Sequence, residues 1–326
     1  MAAVVEIQSG KIGIVEIGVQ QLGAPAKPSI VVGIPAFNEE KTIAKVILGS
    51  QKYADNIVVC DDGSSDLTGE ISRRLGVEVV RHGAKLGYGA AIQTLFERAK
   101  ELGADVLVTL DADGQHDPED IPTVVEPVIA GSADIAVGSR FTDERSSSAI
   151  PWHRKTGIRL ISRIVENNTK QGVADAQSGL RAYSSKSLDR LTMAENGMGV
   201  SVEILMNARK QGLRVQEVPA TCDYGSDLKK HVHNPVTHGA DVIMSIIRLM
   251  VEDRPLSVLG TPGIVCLAGG IFFGVWMLQI YAAEGRIVTN IALASIAFVL
   301  TGFFALSTAI TLYSISRLAQ KMERKR

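Results

Sequence analysis

Between residues 29 and 138 the chain alternates short apolar runs with longer stretches of helical spacing. The runs at 30–34, 56–60, 77–81, 106–110 and 134–138 predict β-strands, since each is too short for a buried helix. Helices are expected in the intervals. One follows Asn38, read as its cap, with Glu39 and Glu40 in the first turn. Others run over 66–75 and 87–102 and from Pro118, with Asp66 and Asp117 as caps. Strands apolar on both faces that alternate with helices predict an α/β fold with a parallel sheet covered on both sides. Ligands of such sheets bind at the carboxyl ends of the strands.

The flanks read differently. Residues 1–27 alternate apolar and polar positions around Ser9-Gly10, the pattern of a small β-hairpin, and are taken as an appendage to a main domain over 28–238. A polar, serine-rich loop at 142–149 leads into a basic amphipathic helix at 152–168, where Ile158, Ile161 and Val165 form a stripe beside Arg154, Lys155, Arg159 and Arg163. In 239–255, Val242, Ile246 and Met250 fall on one helical face. That face packs on a core or, as its junction with the next segment favours, lies in a membrane interface. Blocks 256–281 and 287–316 then contain no charged residue. Each exceeds the roughly 20 apolar residues that span a bilayer, and the short 282–286 link makes them a transmembrane hairpin.

Charge orients that hairpin. The tail at 317–326 carries Arg317, Lys321, Arg324, Lys325 and Arg326, whereas the link carries Arg286 alone among basic residues. The positive-inside rule places both termini and the main domain in the cytosol. A net charge of −1 gives no reason to expect nucleic acid as a partner. Cys60, Cys222 and Cys266 are scattered, so neither a disulfide framework nor a zinc site is implied, and Glu6, Lys11 and Glu16 interrupt any signal peptide. An α/β domain tied to a membrane points to a lipid substrate.

Candidate chemistry gathers at the expected strand ends. Asp111-Ala112-Asp113-Gly114-Gln115 follows the fourth strand, and residues two apart in an extended segment point the same way. Asp111, Asp113 and Gln115 therefore present the oxygen ligands that Mg²⁺ or Mn²⁺ prefers, with positions left for substrate phosphates; the alternative is a solvated acidic turn. Asp61-Asp62-Gly63-Ser64-Ser65-Asp66 ends the second strand, where one carboxylate suits a base or ribose hydroxyl and the other holds the loop. Pro35-Ala36-Phe37-Asn38-Glu39-Glu40 ends the first. Gly87-Tyr88-Gly89 begins like a dinucleotide fingerprint, but Ile92 occupies the third glycine position and the motif follows the third strand, so it is read as shaping a helix start, with Lys85, near a donor.

These stretches, with Gly138-Ser139-Arg140-Phe141, Gln177-Ser178-Gly179-Leu180-Arg181-Ala182-Tyr183 and Glu217-Val218-Pro219, resemble the GT-A fold glycosyltransferases of family 2, and among them the dolichyl-phosphate mannose synthases and related polyprenyl-phosphate hexose synthases. The resemblance implies a mostly parallel nucleotide-diphospho-sugar transferase sheet and transfer of one hexose, from GDP-mannose or UDP-glucose/UDP-GlcNAc, to dolichyl or polyprenyl phosphate with inversion. It places Pro35, Phe37, Asn38 and Glu39 in the nucleotide pocket, Asp61 and Asp62 near base and ribose, and a Mg²⁺ or Mn²⁺ ion on Asp111, Asp113 and Gln115. Arg140 is implied near the donor phosphates or the transferred sugar, and Arg154 and Lys155 at the lipid phosphate. Arg181 serves that anion or holds its loop, and Glu203 faces the acceptor. Asp113, Arg140 and Glu203 are thus the implied catalytic residues. The chain departs from relatives at Gly225-Ser226-Asp227-Leu228-Lys229-Lys230, where a Gly-Lys-Ser-Lys run is common. A competing reading is a catalytically silent membrane adaptor that binds nucleotide sugar.

Overall fold

The computed structural model describes residues 27–142, 172–223 and 254–323, the strands at 5–8 and 11–14, and the isolated residues 162, 163, 166, 244, 248 and 251. Arg154, Lys155, Lys229, Lys230 and most of the two amphipathic stretches lie outside the described residues. The expected N-terminal hairpin is present: β1 (Val5–Gln8) pairs antiparallel with β2 (Lys11–Ile14).

A seven-stranded sheet organises the main domain, in the order β5-β4-β3-β6-β8-β7-β9. Its strands are β3 (Ile30–Ala36), β4 (Asn56–Asp61), β5 (Glu78–Arg81), β6 (Val106–Thr109), β7 (Ile135–Ser139), β8 (Arg181–Ser184) and β9 (Val215–Pro219). β3 to β6 are mutually parallel, as the apolar runs predict. The sheet is nonetheless mixed. β8 inserts between β6 and β7 and runs antiparallel to both, with Arg181 opposite Thr109 on one side and Val137 on the other. The fifth predicted strand therefore does not adjoin the fourth. Arg-Ala-Tyr-Ser has no apolar run to announce a strand; two neighbours with open edges recruit it.

Period-two alternation divides the strand side chains between two cores. On one face Val31, Val58, Leu107 and Val137 pack with Ala91, Ile92, Leu95 and Phe96 of α3 (Tyr88–Glu101) and with Val200, Ile204 and Leu205 of α6 (Val200–Lys210). On the other, Val32, Ile34, Val59 and Val108 meet Ile43, Val46 and Ile47 of α1 (Ile43–Ser50) and Ile121, Val124 and Val125 of α4 (Ile121–Ile129). The buried positions of α1 are Ile43, Val46, Ile47 and Ser50, an i, i+3, i+4, i+7 stripe. Each fully buried Ile or Leu on these faces contributes about 1.5–3 kcal/mol. α2 (Thr68–Arg74) and α5 (Ser185–Arg190) complete the described helices of this domain.

At the C-terminus, α7 (Thr261–Glu284), preceded by a π-turn at Leu256–Gly260, and α8 (Thr289–Glu323) form the expected helix pair. Over Leu256–Glu284 and Thr289–Leu318 both are long and apolar enough to cross a membrane. Lipid tails are as apolar as leucine, so such helices associate through close packing and interhelical hydrogen bonds. Small residues permit that approach here. A Cβ on Gly270 would lie 2.5 Å from Val299 Cγ2, and one on Gly302 would lie 2.7 Å from the Gly263 carbonyl oxygen. Ser295 Oγ donates to the Gly270 carbonyl across the pair at 2.8 Å. In the link Arg286 pairs with Glu284.

Candidate active site

Parallel pairing in register brings the ends of β3, β4 and β6 to one edge, with Ala36 beside Asp61. The loops that follow are tied to each other. Ser65 N donates to Asn38 Oδ1 at 2.8 Å, Asn38 N to Ser64 Oγ at 2.9 Å, and Glu39 N to Thr68 Oγ1 at 2.8 Å. Asn38 is accordingly not a helix cap, as the sequence pattern had it. It sits at φ 58°, a left-handed conformation that asparagine tolerates, and α1 begins later, at Ile43. Asp66 does accept from Thr68 N at the start of α2, and also from Glu40 N. Asp117 caps its short helix through Glu119 N. Much of the polarity at these strand ends is therefore consumed in building the edge.

The two carboxylates after β4 serve different partners. Asp62 accepts from Leu86 N (2.8 Å) and Gly87 N (2.9 Å), and His82 Nδ1 lies 2.8 Å from its Oδ1. It is the loop-holding member of the pair. The loop it clamps carries Lys85, whose ammonium lies 4.0 Å from the centre of the Phe37 ring. Asp61 is buried; Ser64 N donates to its Oδ1 at 2.8 Å, and Arg81 Nε lies 3.6 Å from its Oδ2. Cys60 Sγ is 3.5 Å from His82 Nε2, superficially a Cys-His-Asp array. Burial, then the charge of Asp62, push its thiol up to about 12, so it is no nucleophile.

After β6 the backbone turns. Asp111, Asp113 and Gln115 do not lie along an extended segment: β6 ends at Thr109, Gly114 adopts φ 70°, and Gln115 N donates to Asp113 Oδ1 at 2.9 Å, closing an Asx turn. The carboxyl of Asp111 is held well above the ordinary carboxylate range, first by burial and then by the charge of Asp113. Tyr88 Oη donates to Asp111 Oδ1 at 3.0 Å. Asp111 Oδ2 lies so close to Gly179 that any Cβ there would collide with it. Among the described residues no three His, Cys, Asp or Glu side chains cluster as a metal cage. Two mutually repelling carboxylates beside an amide still fit Mg²⁺ or Mn²⁺, which keep water and substrate phosphate as further ligands.

The end of β7, the antiparallel β8 with the loop before it, and α6 supply the rest. Arg181, 2% exposed, donates to the carbonyls of Ser178 (2.9 Å), Ser201 (3.0 Å) and Ala176 (2.7 Å), so it secures the 176–180 loop against Asp111. Arg140 is buried in a bidentate pair with Asp175, Nε to Oδ2 and Nη2 to Oδ1 both 2.6 Å, and Glu217 accepts from the backbone of Ala174 and Asp175. The charges of Arg140 and Arg181 both favour the ionised form of Asp111. His116, next in the acidic motif, is buried and pushed down to about 4 by burial and then by Arg140. Glu203 accepts from Ala194 N (2.9 Å) and Glu195 N (3.0 Å), anchoring a loop.

The structure thus brings Phe37, Lys85, Asp111, Asp113 and Gln115 to the strand-end edge. Asp62, Arg181 and Glu203 act one layer behind it, on backbone. Sequence reasoning missed Tyr88, Asp175, Gly179 and His82. Tyr88 was visible between two glycines, and Gly179 and Asp175 within or beside the Ser-Gly-Leu-Arg motif; nothing local marked His82.

Residues 31–192 match Glycosyl transferase family 2. An uncharacterized protein of Methanocaldococcus jannaschii is 35% identical over 230 residues, 70% of this chain and 94% of that one. The UDP-N-acetylglucosamine–dolichyl-phosphate N-acetylglucosaminyltransferase of Methanococcus voltae is 36% identical over 211 residues, 59% of this chain and 84% of its own length. Among solved structures, glucosyl-3-phosphoglycerate synthase of Mycobacterium tuberculosis in complex with Mn²⁺ and UDP-glucose shares the fold with a TM-score of 0.54 at 22% identity, over 69% of this chain and 79% of that one. With the family match over the very strands that carry the acidic motifs, and relatives aligned along nearly their whole length, the chain belongs to glycosyl transferase family 2 and is a glycosyltransferase.

Proposed function

We propose that this glycosyltransferase moves one sugar from a nucleoside diphosphate donor, GDP-mannose or UDP-glucose/UDP-GlcNAc, to the phosphate of a dolichyl or polyprenyl lipid, inverting the anomeric centre. The observation that carries the reading is the repelling Asp111–Asp113 pair at the end of β6 in a chain with two membrane-length helices. The Methanococcus voltae relative, which acts on dolichyl phosphate by its name, supports the acceptor class.

In this reading Asp111, Asp113 and Gln115 hold a divalent cation. Bound there, it neutralises charge growing on the departing diphosphate. Phe37 and Lys85 border the nucleotide, Asp62 holds the Lys85 loop, and Arg140, fixed by Asp175, favours the ionised form of Asp111. The attacking lipid phosphate is ionised near neutral pH, so no general base is required of the chain. Domain 28–238 and both termini lie on the cytosolic side, with Arg154 and Lys155 at the lipid phosphate.

The test is incubation of the purified full chain with radiolabelled nucleotide sugars and short polyprenyl phosphates, with and without Mn²⁺ or Mg²⁺. The expected product is a singly glycosylated lipid phosphate that requires the cation. Label found only in free sugar, or in a lipid lacking phosphate, refutes the acceptor assignment.

A further inference from the structure

Gly87-Tyr88-Gly89 is rejected above as a dinucleotide fingerprint, and the proposed reaction leaves its role open. We propose that Tyr88 is a positioning residue for the metal-binding carboxylate of Asp111: its phenol, 3.0 Å from Oδ1, fixes the orientation in which Asp111 meets the cation. The inference rests on the reading that Asp111, Asp113 and Gln115 form a cation site.

Two observations carry it. First, the two oxygens of Asp111 are distinguished. Oδ1 accepts from Tyr88, and Oδ2 rests against Gly179, where even a methyl group has no room. The carboxylate is therefore confined from both sides, as metal ligands are by the partners that orient them. Second, Tyr88 is itself placed by a built device. Gly87 lies at φ 110° as N-cap of α3, and Gly89 N donates to the Asn196 carbonyl at 2.7 Å. A Cβ on Gly87 would run into the Asn196 carbonyl, and one on Gly89 into the backbone of Glu195 and Asn196. That loop is in turn held by Glu203 through Ala194 N and Glu195 N. Glu203 thus connects to the site through this loop, the two glycines, Tyr88 and Asp111.

The experiment measures Mn²⁺ binding to the detergent-solubilised full chain, by the electron paramagnetic resonance signal of free Mn²⁺ at fixed UDP. The wild type is compared with Tyr88→Phe, Asp111→Asn, the double variant and Asp113→Ala. Tyr88→Phe should weaken Mn²⁺ binding about 10-fold, the lower end for loss of a partner that orients a ligand. Because the phenol acts through Asp111, Tyr88→Phe should cost nothing further in the Asp111→Asn background. Wild-type affinity in Tyr88→Phe overturns the inference. So does an additive loss in the double variant, which is what a general folding defect would give. Should the wild type bind no Mn²⁺, or Asp113→Ala bind it as the wild type does, the cation-site reading itself fails and this inference falls with it. That outcome is told apart by the wild-type and Asp113→Ala arms alone.

Discussion

Replacing Asp175 by Asn tests the electrostatic frame of the site. Asp175 is 0% exposed and Arg140 5%, and their two contacts are each 2.6 Å, with Arg140 N a third donor at 3.2 Å. Removing one charge of such a pair leaves the other buried without its carboxylate, which costs about 3–5 kcal/mol. For a domain of roughly 200 residues, 1 kcal/mol moves the melting midpoint by about 2–4 °C, so Asp175→Asn should melt at least ~6 °C lower. The assay is near-ultraviolet circular dichroism of the detergent-solubilised chain on heating. The double variant Arg140→Met with Asp175→Leu should lose less than Asp175→Asn alone, since no uncompensated charge remains. A pH series supplies the sign. Burial alone raises the Asp175 carboxyl, but the charge and hydrogen bonds of Arg140 outweigh it, and the group titrates below its ordinary value. A folded-state value below the unfolded one contributes stability that is present above the unfolded value, about 3.9, and is lost as pH falls through the folded one. The gap between wild type and Asp175→Asn should hold steady from pH 7 to 5 and narrow below about pH 4. A gap under about 2 °C at pH 7, or one that persists unchanged to pH 3, refutes the reasoning.

The remaining predictions concern the site and the membrane pair. Asp113→Ala should abolish transfer, with loss beyond about 100-fold and no rescue by added Mn²⁺, measured as labelled lipid. Gly179→Ala should displace the Asp111 carboxylate and lower kcat at least 10-fold without lowering the melting midpoint comparably; wild-type turnover would count against the confinement of Asp111. Asp62→Ala should release the Leu86-Gly87 backbone and raise KM for the nucleotide sugar several-fold while KM for lipid phosphate stays put. In the helix pair, Gly270→Ala should lower the aggregation temperature in detergent. Gly269→Ala should not, because its added Cβ would meet Phe298 at an ordinary 3.6 Å; equal effects would contradict the packing.

Much of this protein was legible along the chain because it depends on local pattern. The parallel strands β3, β4 and β6 are written as largely apolar runs, and so are the membrane-length helices. The acidic motifs follow those runs directly, so membership of one edge followed from the parallel order. Local pattern also led astray where two chemistries share it. Asn38 before two glutamates looks like a cap but bonds a neighbouring loop, and the Asp-x-Asp segment forms a turn rather than continuing a strand. Contacts distant in sequence were decided only by the tertiary structure. β8 pairs with residues 44 to 78 positions earlier, and nothing in Arg-Ala-Tyr-Ser announces it. That one antiparallel insertion sets Arg181 on carbonyls, Gly179 against Asp111 and Asp175 on Arg140. The physical reason is burial. Side chains with long reach and many donors satisfy whichever backbone groups the fold encloses beside them, and sequence spacing carries no record of which those are.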